Sequence, residues 1–117
     1  MDLSKIENDL ISEIKLTPLQ AKIFLFITVE GKQTIKQISE KFNLTESETL
    51  EIANSLIGIG SLIDLSKTEF EAMHPRFTAV NMYRRMCERE KIEFKRNVTV
   101  DNIGVVLENA YDDARTK

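Results

Sequence analysis

The stretch Thr34-Ile35-Lys36-Gln37-Ile38-Ser39-Glu40-Lys41-Phe42-Asn43-Leu44-Thr45-Glu46-Ser47-Glu48-Thr49-Leu50 decides the fold. It holds two helix starts of one chemistry. Thr34 is followed three residues later by Gln37, and Thr45 by Glu48. In each capping box the hydroxyl and the N3 side chain satisfy backbone N–H groups that the first turn leaves unpaired. Ile35, Ile38 and Phe42 form the apolar stripe of a helix over 35–42, and Asn43 suits the left-handed position that closes it. Only Asn43-Leu44-Thr45 separates this helix from the next, the short turn of a helix-turn-helix. In the following helix, over 46–58, Leu50, Ala53 and Ile57 read as the inward stripe, with part of Ile52 or Leu56. Gly58 or Gly60 ends it.

Upstream, Thr17-Pro18-Leu19-Gln20 repeats the box, with Pro18 at N1, where its missing donor costs nothing. A helix over 18–30 offers Leu19, Ile23, Phe24, Phe26 and Ile27, nearly apolar all round, and Gly31 stops it. Before it, Leu3, Ile6, Leu10, Ile11 and Ile14 recur at helical spacing and predict an amphipathic helix over 2–15. Downstream of Gly60 the period changes. Leu62-Ile63-Asp64-Leu65 and Glu69-Phe70-Glu71-Ala72-Met73 flank Ser66-Lys67-Thr68, which reads as a β-hairpin with one wet and one buried face. A helix-turn-helix followed directly by a hairpin is the winged arrangement; three helices with an irregular tail is the alternative.

His74-Pro75 opens a further helix, read over 76–96. Val80, Tyr83, Cys87 and Phe94 lie on one seam and Ala79, Met82 and Met86 on the adjacent one, so one seam is expected on the domain and the other on a partner. Asn97 interrupts the pattern. A last helix, from about Val100, repeats Val100, Ile103, Leu107, Ala110 and Ala114, with Val106 and Tyr111 alongside. The expected fold class is mainly α with a small β-hairpin wing: a winged helix-turn-helix domain over 1–75 that includes the N-terminal helix, and a helical extension over 76–117 with two amphipathic helices. That extension is expected to dimerise the chain through Ala79, Met82, Tyr83, Met86, Ile103, Leu107 and Ala110.

The run from Leu16-Thr17-Pro18-Leu19 through Ser66-Lys67 resembles archaeal transcription regulators of the TrmB-like, or MarR-like, winged-helix type. Ala72-Met73-His74-Pro75-Arg76-Phe77 and the residues to Arg85 are similar to a subset of short TrmB-like proteins with a His-Pro-Arg-Phe element after the wing. The resemblance covers roughly residues 16–90 and implies a DNA-binding, dimeric regulator. The large sugar-binding domain of full-length TrmB-type regulators has no counterpart here, so sugar sensing is not implied.

Charge limits how such a protein would hold DNA. The 117 residues carry a net charge of −3, with 42% hydrophobic and 30% charged side chains. Residues 1–75 hold 7 basic and 12 acidic side chains, 76–96 hold 7 and 3, and 97–117 hold 2 and 4. Phosphate neutralisation supplies most non-specific affinity, so local cations must do that work. Lys32, Lys36 and Lys67, with Arg76 and Arg84, are the phosphate candidates; as alternatives, isolated lysines are plain surface charge, and Arg84 with Glu88 forms an intrahelical ion pair. Thr34 and Thr45 open the two motif helices. Ser47, Thr49 and Asn54 are the base-reading candidates on the second, which enters the major groove while the wing, over 62–73, lies on the backbone. That helix also carries Glu46, Glu48 and Glu51 and no Lys or Arg. The second reading is therefore a protein-interaction module whose acidic motif helix binds a basic partner of the transcription machinery.

Enzyme chemistry is not expected. His74 is the only histidine and reads as a helix cap; Cys87 is the only cysteine and reads as a buried thiol, with a redox switch as the alternative. They supply neither a nucleophile–base pair nor a metal cluster. No glycine-rich phosphate loop, small-molecule motif or cofactor motif is evident, and no apolar run is long enough to cross a bilayer. The expected setting is cytoplasmic, the expected partners double-stranded DNA and a second copy of the chain.

Overall fold

The computed structural model describes residues 3–115. All three threonine boxes form. Thr17, Thr34 and Thr45 accept from the backbone N–H of Gln20, Gln37 and Glu48 at 3.1, 3.1 and 3.0 Å, and each N3 side chain accepts from the threonine's own N–H. They open α2 (Pro18–Glu30), α3 (Ile35–Phe42) and α4 (Glu46–Gly58), which follow α1 (Ser4–Ile14). The first residues of the helix expected over 2–15 lie partly outside the described residues. Asn43 takes the left-handed conformation after α3, and Gly31 and Gly60 have positive φ after α2 and α4. A side chain at Gly60 would collide with the Asn81 amide.

The hairpin forms as β2 (Leu62–Ser66) and β3 (Glu69–Ala72), with Phe70 and Ala72 buried and Glu69 and Glu71 more exposed. A short strand absent from the sequence reading, β1 (Gln33–Thr34), pairs antiparallel with β3, Gln33 opposite Phe70, and gives a three-stranded sheet in the order β1-β3-β2. Two residues of strand carry no period-2 signal, which is why β1 was not legible. The register of β2 against β3 shifts between Asp64 and Ser66, leaving Leu65 as the extra residue at the turn.

Downstream the structure corrects the expected boundaries. Helix α5 (Pro75–Glu90) stops six residues short of 96, and α6 (Val98–Arg115) starts two residues before Val100. Lys91 closes α5 in the left-handed conformation while the Ile92 N–H donates to the Cys87 carbonyl at 2.9 Å. A glycine there would have marked the stop; a lysine does not. Phe94 is therefore not on the α5 seam: it sits in the connecting segment, its ring 6.0 Å from that of Tyr83. The Asn97 side chain caps α6, accepting from the Val100 N–H at 3.1 Å.

The apolar side chains of α5 and α6 also lie otherwise than expected. Ala79, Met82, Met86, Ile103 and Leu107 are buried within the chain, and Tyr83 and Ala110 are half-buried. Helix α6 packs on α1, α2 and α5. One core therefore runs from Leu10 and Phe24 through Leu56 and Phe70 to Met82 and Ile103. Five of the seven residues expected to meet a partner are therefore taken up by the chain's own core, while Tyr83 and Ala110 keep part of their surface. The close approach of α5 and α6 needs Gly104, whose added Cβ would lie 2.6 Å from Arg76 Cα. No helix among the described residues is long and apolar enough to cross a membrane.

Candidate nucleic-acid interface

The surface built by α3, the three-residue turn, α4 and the hairpin is held by two ties. The Ile35 N–H donates to the Thr68 carbonyl at 2.8 Å, joining the start of α3 to the hairpin turn. Gln20 Nε2 donates to Ser55 Oγ at 3.0 Å, joining α2 to the outer side of α4. The first tie brings together Lys36 and Lys67, which adjoin Ile35 and Thr68 in the sequence, and Lys32 stands immediately before β1. All three lysines are exposed and make no ion pair among the described residues.

Helix α4 turns a different face inward from the one its pattern predicts. Thr49, Ala53 and Leu56 are buried, Ile52 and Ile57 are half-buried, and Leu50 is 38% exposed. Thr49 therefore reads no base: it is fully buried and its hydroxyl donates to the Thr45 carbonyl at 2.9 Å. Leucine outranks threonine in hydrophobicity, so the pattern favours Leu50. The threonine goes inside because its hydroxyl is satisfied within its own helix. Ser47 and Asn54 are exposed as expected, on the face that also carries Glu46, Leu50 and Glu51. Thr34 and Thr45 hold their cap bonds, so their hydroxyls serve the helix starts first.

Two arginines named from the sequence have other work. Arg76 Nε is 3.0 Å from Glu108 Oε2, and Arg84 Nη2 donates to Asn81 Oδ1 at 2.7 Å rather than pairing with Glu88. Arg85 Nη1 donates to the Gly58 carbonyl at 2.7 Å, bracing the end of α4. Arg76 and Arg85 thus tie α5 to α6 and to the end of α4, Arg84 bonds within α5, and Arg89 and Lys91, like the three lysines of the motif side, make no ion pair among the described residues. The hydrogen bond from the Thr45 backbone N–H holds the Glu48 carboxyl below its ordinary pKa, so Glu48 stays ionised at the positive end of α4.

His74 caps α5, its Nδ1 accepting from the Arg76 N–H at 3.2 Å, and Cys87 is buried. Among the described residues no group of three or more His, Cys, Asp or Glu is placed to hold a metal ion. The sequence reading missed the exposed Leu50 and the exposed Ile63 and Leu65 on β2. Period-2 alternation carried no signal for the β2 pair, since Asp64 between them is exposed as well. No family model matches this chain, and no curated protein or solved structure is significantly similar to it.

Proposed function

We propose that the chain is a winged helix-turn-helix transcription regulator that binds double-stranded DNA in the cytoplasm. The observation that carries this reading is the Ile35–Thr68 tie, which sets the hairpin turn and its Lys67 beside the start of the motif and its Lys36. In this reading α4 lies in the major groove, Ser47 and Asn54 meet base edges, and Lys32, Lys36 and Lys67 meet phosphates on either side. Asn54 pairs bidentately with adenine, and Glu46 or Glu51 accepts from cytosine N4. The resemblance to TrmB-like regulators points the same way. A two-fold operator calls for two copies of the chain, and the exposed Phe77, Phe94 and Val105 leave an apolar surface on the α5–α6 side for that contact.

One observation favours a second reading. Leu50 is exposed between Glu46 and Asn54 on a helix without a single cation, a surface suited to a basic, partly apolar protein partner. Anisotropy titrations on the tightest duplex recovered from a randomised pool separate the two. Under the DNA reading, Asn54→Ala loosens discrimination at one base pair by about 1–3 kcal/mol, and Lys67→Ala weakens all duplexes evenly and lowers the salt slope by about 1. Unchanged binding in both variants contradicts the assignment of this face.

A further inference from the structure

Strand β2 lies at the edge of the sheet, whose order is β1-β3-β2, and it carries two exposed apolar side chains, Ile63 at 39% and Leu65 at 44% exposure. Scattered exposed apolar residues are ordinary on a protein surface. An edge strand, however, is where proteins usually place charge or proline, which keeps other chains from pairing with it. Asp64 meets that need only on the face away from Ile63, because successive strand side chains point to opposite sides. Leu65 is also the extra residue where the register shifts between Asp64 and Ser66, and such a bulge re-aims the side chain it carries.

The hairpin turn next to Leu65 is fixed in place. The Thr68 N–H donates to Ser66 Oγ at 3.3 Å across the turn, and the Thr68 carbonyl accepts from the Ile35 N–H at 2.8 Å. Leu65 and the exposed Lys67 are therefore carried at a set position beside the start of α3. Charge indicates what stands opposite. Lys32, Lys36 and Lys67 are the cations available to phosphates, while α4 brings Glu46, Glu48 and Glu51 and no cation. Neutralising three phosphates gives a salt slope of only about −3, so electrostatics alone leaves the contact weak. The remaining affinity has to come from uncharged contact. An apolar side chain beside a phosphate-binding lysine suits the minor groove, where such side chains slip between base steps and bend the duplex.

We infer that Leu65 is a wedge: with Ile63 behind it and Lys67 on the adjoining phosphate, it enters the minor groove beside the motif site. There it partly unstacks one base step and kinks the duplex by about 20–90°. This rests on the DNA-binding reading of the α3–α4 and hairpin face and adds to it a bent operator. The wedge selects a flexible step, such as TA or CA, at a position that no polar side chain needs to contact.

The test uses the full chain and the tightest duplex recovered from a randomised pool. 2-Aminopurine replaces adenine at each position flanking the site in turn, and fluorophores at the duplex ends report bending by energy transfer. With the unaltered chain, 2-aminopurine fluorescence is expected to rise at one step and the duplex ends to draw together. Leu65→Ala is expected to abolish both, to weaken binding about three- to tenfold, and to leave the salt slope unchanged, since no charge is lost. Lys67→Ala is expected to lower the salt slope by about 1 and to keep the fluorescence rise. Leu65 is exposed, so its truncation spares the core, and amide spectra of the variant report its fold. A duplex bound without unstacking or bending overturns the wedge and leaves the DNA reading standing, as does a Leu65→Ala variant that bends it as before. A Leu65→Ala variant that lowers the sedimentation mass of the free chain assigns the leucine to a contact between copies and also overturns the wedge. Failure to recover any duplex overturns the wedge and the DNA reading together.

Discussion

Residues 17–58 hold three helix starts of one chemistry, a threonine with Gln or Glu three positions on, whereas α5 and α6 start on a histidine and an asparagine cap. In the first region the sequence pattern and the structure coincide almost residue for residue at the boundaries. In the second the boundaries move, and the apolar seams turn to the chain's own core. Capping boxes complete themselves within a few residues, so they are legible locally. Which side of an amphipathic helix is covered, and by what, depends on a partner far away in sequence. Here that partner is α6, which folds back over α1 and α2.

The sharpest way to break this comparison is Leu107→Ala. Leu107 is fully buried in the single core, so truncation is expected to cost about 2–5 kcal/mol in urea denaturation without changing the sedimentation mass. A small stability cost accompanied by loss of a dimer would return α6 to the role of a partner-facing helix.

Thr45→Ala probes the legible region and should have a smaller effect, about 1 kcal/mol, because it removes one N-cap acceptor. The bond from Thr49 to the Thr45 carbonyl survives this change, since it uses the backbone. A loss of several kcal/mol would mean that the turn between α3 and α4 depends on the hydroxyl for more than capping.

The smallest effect concerns acid. Glu48 is fully exposed and its pKa is lowered in the folded chain by the Thr45 hydrogen bond. A carboxylate with a depressed folded pKa contributes stability above its unfolded pKa and loses it as pH falls through the folded value. Glu48→Gln retains the acceptor in the box and removes the titration. The variant's stability is therefore expected to fall less steeply than the wild type's below about pH 4.3, followed by thermal melts across that range. Parallel acid limbs would show that the box contributes nothing through charge.

Most of the architecture was legible, and the misses have specific causes. Strand β1 was too short for a period. Helix α5 ends on a left-handed Lys91, a position that a glycine would have announced. Thr49 and Leu50 exchanged faces because hydropathy does not register a hydroxyl that is satisfied inside its own helix. For the candidate interface, the exposure of Ser47, Asn54, Lys32, Lys36 and Lys67 followed from the pattern. The diversion of Arg76 and Arg84 to Glu108 and Asn81 did not, since it depends on how α5 meets α6 and on a side-chain bond within α5 itself.

The central claim, that the α3–α4 and hairpin face binds DNA, is tested most directly by titrating the ¹⁵N-labelled chain with the tightest duplex from the randomised pool. The account predicts that amide signals of Lys36, Ser47, Asn54 and Lys67 move while those of α5 and α6 away from the hairpin stay in place. Failure to enrich any duplex, or shifts confined to α5 and α6, would contradict it.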